Sequence, residues 1–188
     1  MRFEHACRPG GCGQSFRHAT PRTVTTGDVA LNLALTGSRF PVQSSAGFAG
    51  TIGLLGAPLD DLLVFHIAIA KTVPDISVNA IANLGYADLR FETRAYPGDT
   101  LSTLSEITGL RPTSDGKAGI VYVRSLTRNQ YDETVVSWNR WVMVRKRNES
   151  AAPPETHVPD LPDLVPAEAL TVPAGADFSG YDAEAAGS

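Results

Sequence analysis

The stretch Pro58–Pro74, PLDDLLVFHIAIAKTVP, decides how the rest of the chain is read. Two prolines bound it. Pro58 suits a first helical turn, because the N–H it lacks has no partner there. Asp60 and Asp61 follow, where the helix dipole favours negative charge, and Lys71 stands near the far end, where it favours a cation. Pro74 stops the run. From Leu62 to Ala70 the segment is apolar almost all round, which predicts burial on more than one side. About 15 helical residues span roughly 22 Å, too short and too closely flanked by charge to cross a bilayer.

Downstream the periodicity changes. Residues 76–94 alternate loosely and hold one or two strands. Tyr96-Pro97-Gly98-Asp99 has strong turn chemistry. Three alternating segments follow, at 100–110, 118–127 and 134–145, with turns at Asp115-Gly116 and at 128–133. Short connections predict an antiparallel meander. Trp138 and Trp141, three apart, face opposite sides of the last strand. One long helix and an antiparallel sheet able to wrap it make an α+β layout of the hot-dog type.

Upstream, residues 15–25 are β-like. Thr25 and Thr26 open a short helix that Gly37 ends, and Ser44 or Ser45 caps a second, glycine-rich one. Residues 1–13 form an atypical leader without an apolar signal core, which predicts a cytoplasmic protein. Its Cys7 and Cys12, with His5 and His18, are residue types that hold Zn²⁺, but the spacing fits no structural zinc pattern. We therefore expect no metal and two reduced thiols.

The chain of 188 residues is 43% hydrophobic and 19% charged, as a globular protein is. Its net charge of −4 is unevenly spread. The body to residue 147 is mildly basic, which suits an anionic ligand such as a CoA thioester; it shows no basic–aromatic interleaving, so nucleic acid is not expected. Residues 149–188 carry acids, prolines and no Lys or Arg, and read as a linker or tail. The last residues read as a cut chain. The folded domain is expected over 14–148.

Tyr96-Pro97-Gly98-Asp99-Thr100-Leu101, Ser105-Glu106 and Asn129-Gln130 resemble the signature of MaoC-like hot-dog dehydratases. The stretches HATPRTVTTGDVAL (18–31), VQSS (42–45), PLDDLLVFH (58–66), KTVPDIS (71–77), NLGYAD (83–88) and RWVMVRKR (140–147) are similar to the N-terminal half of the bacterial mesaconyl-CoA hydratases, also called β-methylmalyl-CoA dehydratases. That resemblance implies one half of a tandem hot-dog hydro-lyase that adds water reversibly to mesaconyl-CoA, with no cofactor beyond the thioester substrate. It also implies a missing half. An Asp/His pair in a T-G-D-x-N-P-[LIV]-H motif does the acid–base work in R-specific hydratases of this kind, and backbone N–H groups hold the thioester oxyanion. Here the motif falls on Thr36-Gly37-Ser38-Arg39-Phe40-Pro41-Val42-Gln43. Ser38 and Gln43 replace the dyad, and neither exchanges a proton readily near neutral pH. This chain alone is therefore expected to be inactive, and the dyad to lie beyond Ser188.

Candidate substrate-binding residues are Asp60, Asp61, His66, Asn83 and Arg145. Helix-dipole complementation is the simpler reading of the two aspartates, and a buried, hydrogen-bonded core residue that of His66. Asn83 is chosen by position alone. Arg145, with Lys146 and Arg147, could meet CoA phosphates or form a charged strand exit. Two other functions fit the same residues: a non-catalytic acyl-CoA-binding or assembly subunit, and a thioesterase using Asp60 or Asp61. A single hot-dog domain leaves a face open, which predicts a homodimer or a second hot-dog domain as partner, and no membrane.

Overall fold

The structure, a computed structural model, describes residues 12–146, 148, 150, 152, 154–169, 177, 179, 180 and 182. The elements run β1 (Ser15–Arg17), β2 (Arg22–Thr23), α1 (Thr26–Thr36), α2 (Pro41–Ser44), α3 (Ala46–Thr51), α4 (Asp61–Thr72), β3 (Ala80–Phe91), β4 (Thr100–Pro112), β5 (Ala118–Arg128) and β6 (Thr134–Arg145). The sheet is antiparallel in the order β1-β4-β5-β6-β3, and β2 adds to β4. The expected meander of three late strands is present, and β3 returns to pair with β6 rather than with β4. The sheet carries α4 on one face. This is the hot-dog arrangement read from the sequence.

Inward positions follow the period of two. Leu101, Ile107, Val121, Val123, Val136, Trp138 and Val142 are buried. They form two apolar clusters. One gathers Val64, Ile67 and Ala68 of α4 with Leu101, Val136 and Trp138. The other holds Ile76, Ile107, Leu110, Val123 and Val142. Buried polar groups bond to one another elsewhere in the interior. Thr103 meets Thr127 at 2.9 Å and Ser105 meets Ser125 at 2.7 Å across β4 and β5, while Arg140 Nη2 donates to Thr72 Oγ1 at 2.9 Å. Pairing is what makes such burial tolerable. Burial draws the Arg140 pKa downward.

Four local expectations change. α4 starts at Asp61, not at Pro58, because Asp60 is the N-cap: its Oδ1 accepts from Leu62 N (2.8 Å) and Leu63 N (3.2 Å). Pro74 does not stop the chain. Residues Val73–Ser77 form a π turn, closed by Val78 N to Val73 O at 2.8 Å, in whose first turn proline's missing N–H costs nothing. α4 is not buried all round, for Leu62 and His66 face outward while Val64, Ile67, Ala68 and Thr72 face the sheet. His66 is thus an exposed residue, not a core histidine. Cys12, half-buried against the second cluster, is disulfide-bonded and not a reduced thiol. His5 and Cys7 lie outside the described residues. His18, the remaining member of the Cys/His set, is buried and engaged: Nδ1 lies 2.7 Å from Asp75 Oδ2 and Nε2 lies 2.8 Å from Ser105 Oγ.

The Tyr96–Asp99 turn has a physical basis. Gly98 takes φ 104°, a conformation open to glycine, and its N–H bonds Val24 O at 2.7 Å. Asp99 accepts from Tyr96 N (2.7 Å) and from Gln130 Nε2 (2.7 Å), and Gln130 Oε1 accepts from Thr100 N (2.9 Å). The motif therefore ties the start of β4 to the β5–β6 turn.

The acidic segment also touches the fold. His157 pairs with Leu110 through bonds of 2.7 and 2.9 Å on the outer side of β4. A Cβ on Gly109 would stand 2.5 Å from His157 O and 2.6 Å from Pro159 Cδ. Gly109→Val is expected to release this segment. Amide exchange at Leu110 and His157 would rise by an order of magnitude or more while the β5–β6 amides keep their protection; unchanged exchange at Leu110 would refute the contact.

Candidate acyl pocket at the start of the central helix

Gly37, with φ 61°, ends α1 by donating its N–H to Leu33 O. The chain then turns through Ser38, Arg39 and Phe40 into α2, with Pro41 at a position that needs no donor. This loop brings Ser38 and Gln43 to the start of α4. Ser38 Oγ donates to Asp60 Oδ2 at 3.2 Å. Gln43 is buried and lines the same cavity as Asp61. Four of the candidate positions, Ser38, Gln43, Asp60 and Asp61, meet at one place.

Beside them lies a cavity of about 270 Å³. Its apolar wall includes Phe40, Ile52, Val64, Phe91 and Val135, and its polar groups include Gln43, Asp61, Glu92 and Arg94. Loss of solvent around the Asp61 carboxyl pushes its pKa up. The nearby Gln43 amide and the Arg94 charge oppose that shift, and the Asp60 charge adds to it. The helix start itself is not an open anion site. Asp60 already accepts from the Leu62 and Leu63 amides, so those groups do not await a thioester oxyanion.

The other candidates lie elsewhere. Asn83 Nδ2 donates to Tyr86 Oη at 2.6 Å on exposed β3. Arg145 is exposed at the far end of β6 from Val135. His66 sits more than one helical turn beyond Asp61 and does not line the cavity. Sequence reasoning passed over Arg94. Its signal, a lone arginine just before the Tyr96–Asp99 turn, gains meaning only when the loop folds against α4.

Comparison with known proteins now adds to this geometry. No family model matches the chain. It is 60% identical over 176 residues to the β-methylmalyl-CoA dehydratase of Chloroflexus aurantiacus, covering 94% of this chain and 50% of that protein. It is 47% identical over 175 residues to the mesaconyl-CoA hydratase of Cereibacter sphaeroides, covering 93% and 51%. A solved MaoC domain dehydratase from Chloroflexus aurantiacus superposes with a TM-score of 0.87 at 60% identity, covering 94% of this chain and 50% of that one. This chain has the hot-dog fold and is similar to one half of these MaoC-like dehydratases. A double hot-dog protein of Mycobacterium tuberculosis, 25% identical, matches with a TM-score of 0.71 over 97% of this chain and 54% of its own. The chain thus spans about half the length of the curated relatives it matches. Among the described residues of this hot-dog domain no helix is long and apolar enough to cross a membrane.

Two outcomes test the site. Asp60→Ala removes the α4 cap and is expected to cost about 1 kcal/mol, up to about 2, in urea unfolding; no loss would show that the cap carries no stability. Asp61 has a raised pKa in the fold, so the unfolded chain loses its proton first as pH rises. Stability therefore falls between the ordinary carboxylate pKa of 3.8 and the raised one, and stays lower above it. Asp61→Asn is expected to raise the melting temperature at pH 7, with a gain that shrinks toward pH 4. A constant gain or a loss at pH 7 would contradict the shift.

Proposed function

We propose that this hot-dog domain is the substrate-shaping half of an acyl-CoA hydratase/dehydratase that interconverts mesaconyl-CoA and β-methylmalyl-CoA, and that alone it turns over neither. The observation that carries this reading is that Ser38, bonded to Asp60, and Gln43, which lines an apolar cavity with Asp61, stand where an acid–base pair would be needed. Hydration needs one group to take a proton from water and another to deliver one to carbon, both within hydrogen-bond reach. Serine and glutamine supply neither near neutral pH. What remains is a pocket wall, with an amide and a carboxyl that orient an acyl group. The names and doubled length of the relatives support the substrate class.

The partner in this reading is a second hot-dog domain, in the same protein or as a second copy. β3 is a sheet edge, and Ile81, Leu84 and Tyr86 on it are exposed, which suits edge-to-edge pairing. The acyl-CoA is substrate, and the reading needs no resident cofactor. It places the protein in the cytoplasm. A thioesterase reading is weaker, because Asp60 is held by two helix amides and by Ser38.

The test is a spectrophotometric assay of the enoyl thioester. The chain alone is expected to leave mesaconyl-CoA and β-methylmalyl-CoA unchanged and to release no free CoA thiol. Turnover of either ester by the chain alone, unaffected by substitution of Ser38 or Gln43, would sink the reading, and thiol release would favour the thioesterase.

A further inference from the structure

The cavity at the start of α4 holds one cation. Arg94 follows β3 on a backbone fixed from both sides: Thr93 N donates to Thr134 O at 3.0 Å, and Leu59 N donates to Ala95 O at 2.7 Å. Its side chain is half-buried. Among the described residues no ion pair within 4 Å holds it. Of the two acids that share the cavity, Glu92 is engaged, its Oε1 accepting from Ser137 Oγ at 3.0 Å. Asp61 feels the Arg94 charge but forms no ion pair with it within 4 Å. Arg94 thus offers a guanidinium fork without a fixed partner, in a space walled by Phe40, Ile52 and Val64.

The size of the space limits its occupant. About 270 Å³ falls below the roughly 300–1,000 Å³ of pockets that enclose a drug-sized ligand. It admits an acyl end and not the whole of coenzyme A. An acyl end that is purely hydrocarbon would satisfy the apolar wall and leave Arg94 facing it unpaired. An acyl end that terminates in a carboxylate would satisfy both, because guanidinium and carboxylate match in a two-pronged bond.

We propose that Arg94 is the specificity-determining residue of this pocket and binds the free carboxylate of a dicarboxylic acyl-CoA. The assignment rests on the hydratase reading above and sharpens it. Mesaconyl and β-methylmalyl groups both carry such a carboxylate at the end remote from the thioester. Arg94 takes no part in proton transfer in this assignment. It selects the ester by charge and sets how deep the acyl group lies.

The experiment compares binding of mesaconyl-CoA with that of crotonyl-CoA, which ends in a methyl group, by calorimetry on the chain, on R94M and on R94K. The unaltered chain is expected to prefer mesaconyl-CoA by roughly tenfold or more, since a site built to bond a polar group rejects the analogue lacking it. R94M should lose that preference through weaker binding of mesaconyl-CoA alone, and R94K should keep part of it. Thermal melting checks that each variant is folded. Equal weakening of both esters, or an unchanged preference in R94M, overturns the assignment while leaving the hydratase reading intact. Binding of neither ester by the unaltered chain overturns both.

Discussion

The seating of α4 on the sheet is the constraint on which the site depends. Val64, Ile67 and Ala68 face inward, and the Phe65 ring meets Trp138 edge-on, with centroids 5.3 Å apart and planes at 87°. Trp138 is fully buried, so the helix has one depth and one rotation at which it fits. That rotation places Asp60 and Asp61 at the lip of the cavity and turns Leu62 and His66 outward. Everything at the pocket follows from where this helix begins.

The corner where the loop before α2 meets the start of α4 is a polar one. Ser38 bonds Asp60, and Gln43 and Asp61 line the cavity beside it. Asp60 in turn satisfies two helix amides. The cavity beside this corner also carries Arg94, whose charge acts on Asp61 without an ion pair within 4 Å.

Much of the fold was legible in residues. The period-two alternation of β4, β5 and β6 and their short turns announced the meander, and Thr25 with Asp28 forms the capping box that opens α1. The Tyr96–Asp99 motif was legible as a turn, while its bonds to Gln130 were not, because they join residues about 30 apart. Pro58 and Pro74 misled for one reason. Proline excludes certain helix positions without fixing where a helix starts or ends, and Asp60 and the π turn made those decisions. His18 looked like a metal ligand by residue type, yet it bonds Asp75 and Ser105, distant partners that only folding supplies.

By itself the sequence determined the α+β layout and the one central helix, because hydrophobic period and turn chemistry are local properties. Tertiary structure decided which groups meet. It joined the 38–43 loop to the acids of α4, brought Arg94 into the same cavity from beyond β3, and moved Asn83 and Arg145 away from it. Those meetings join segments far apart in the sequence, and the packing of α4 against the sheet brings them together.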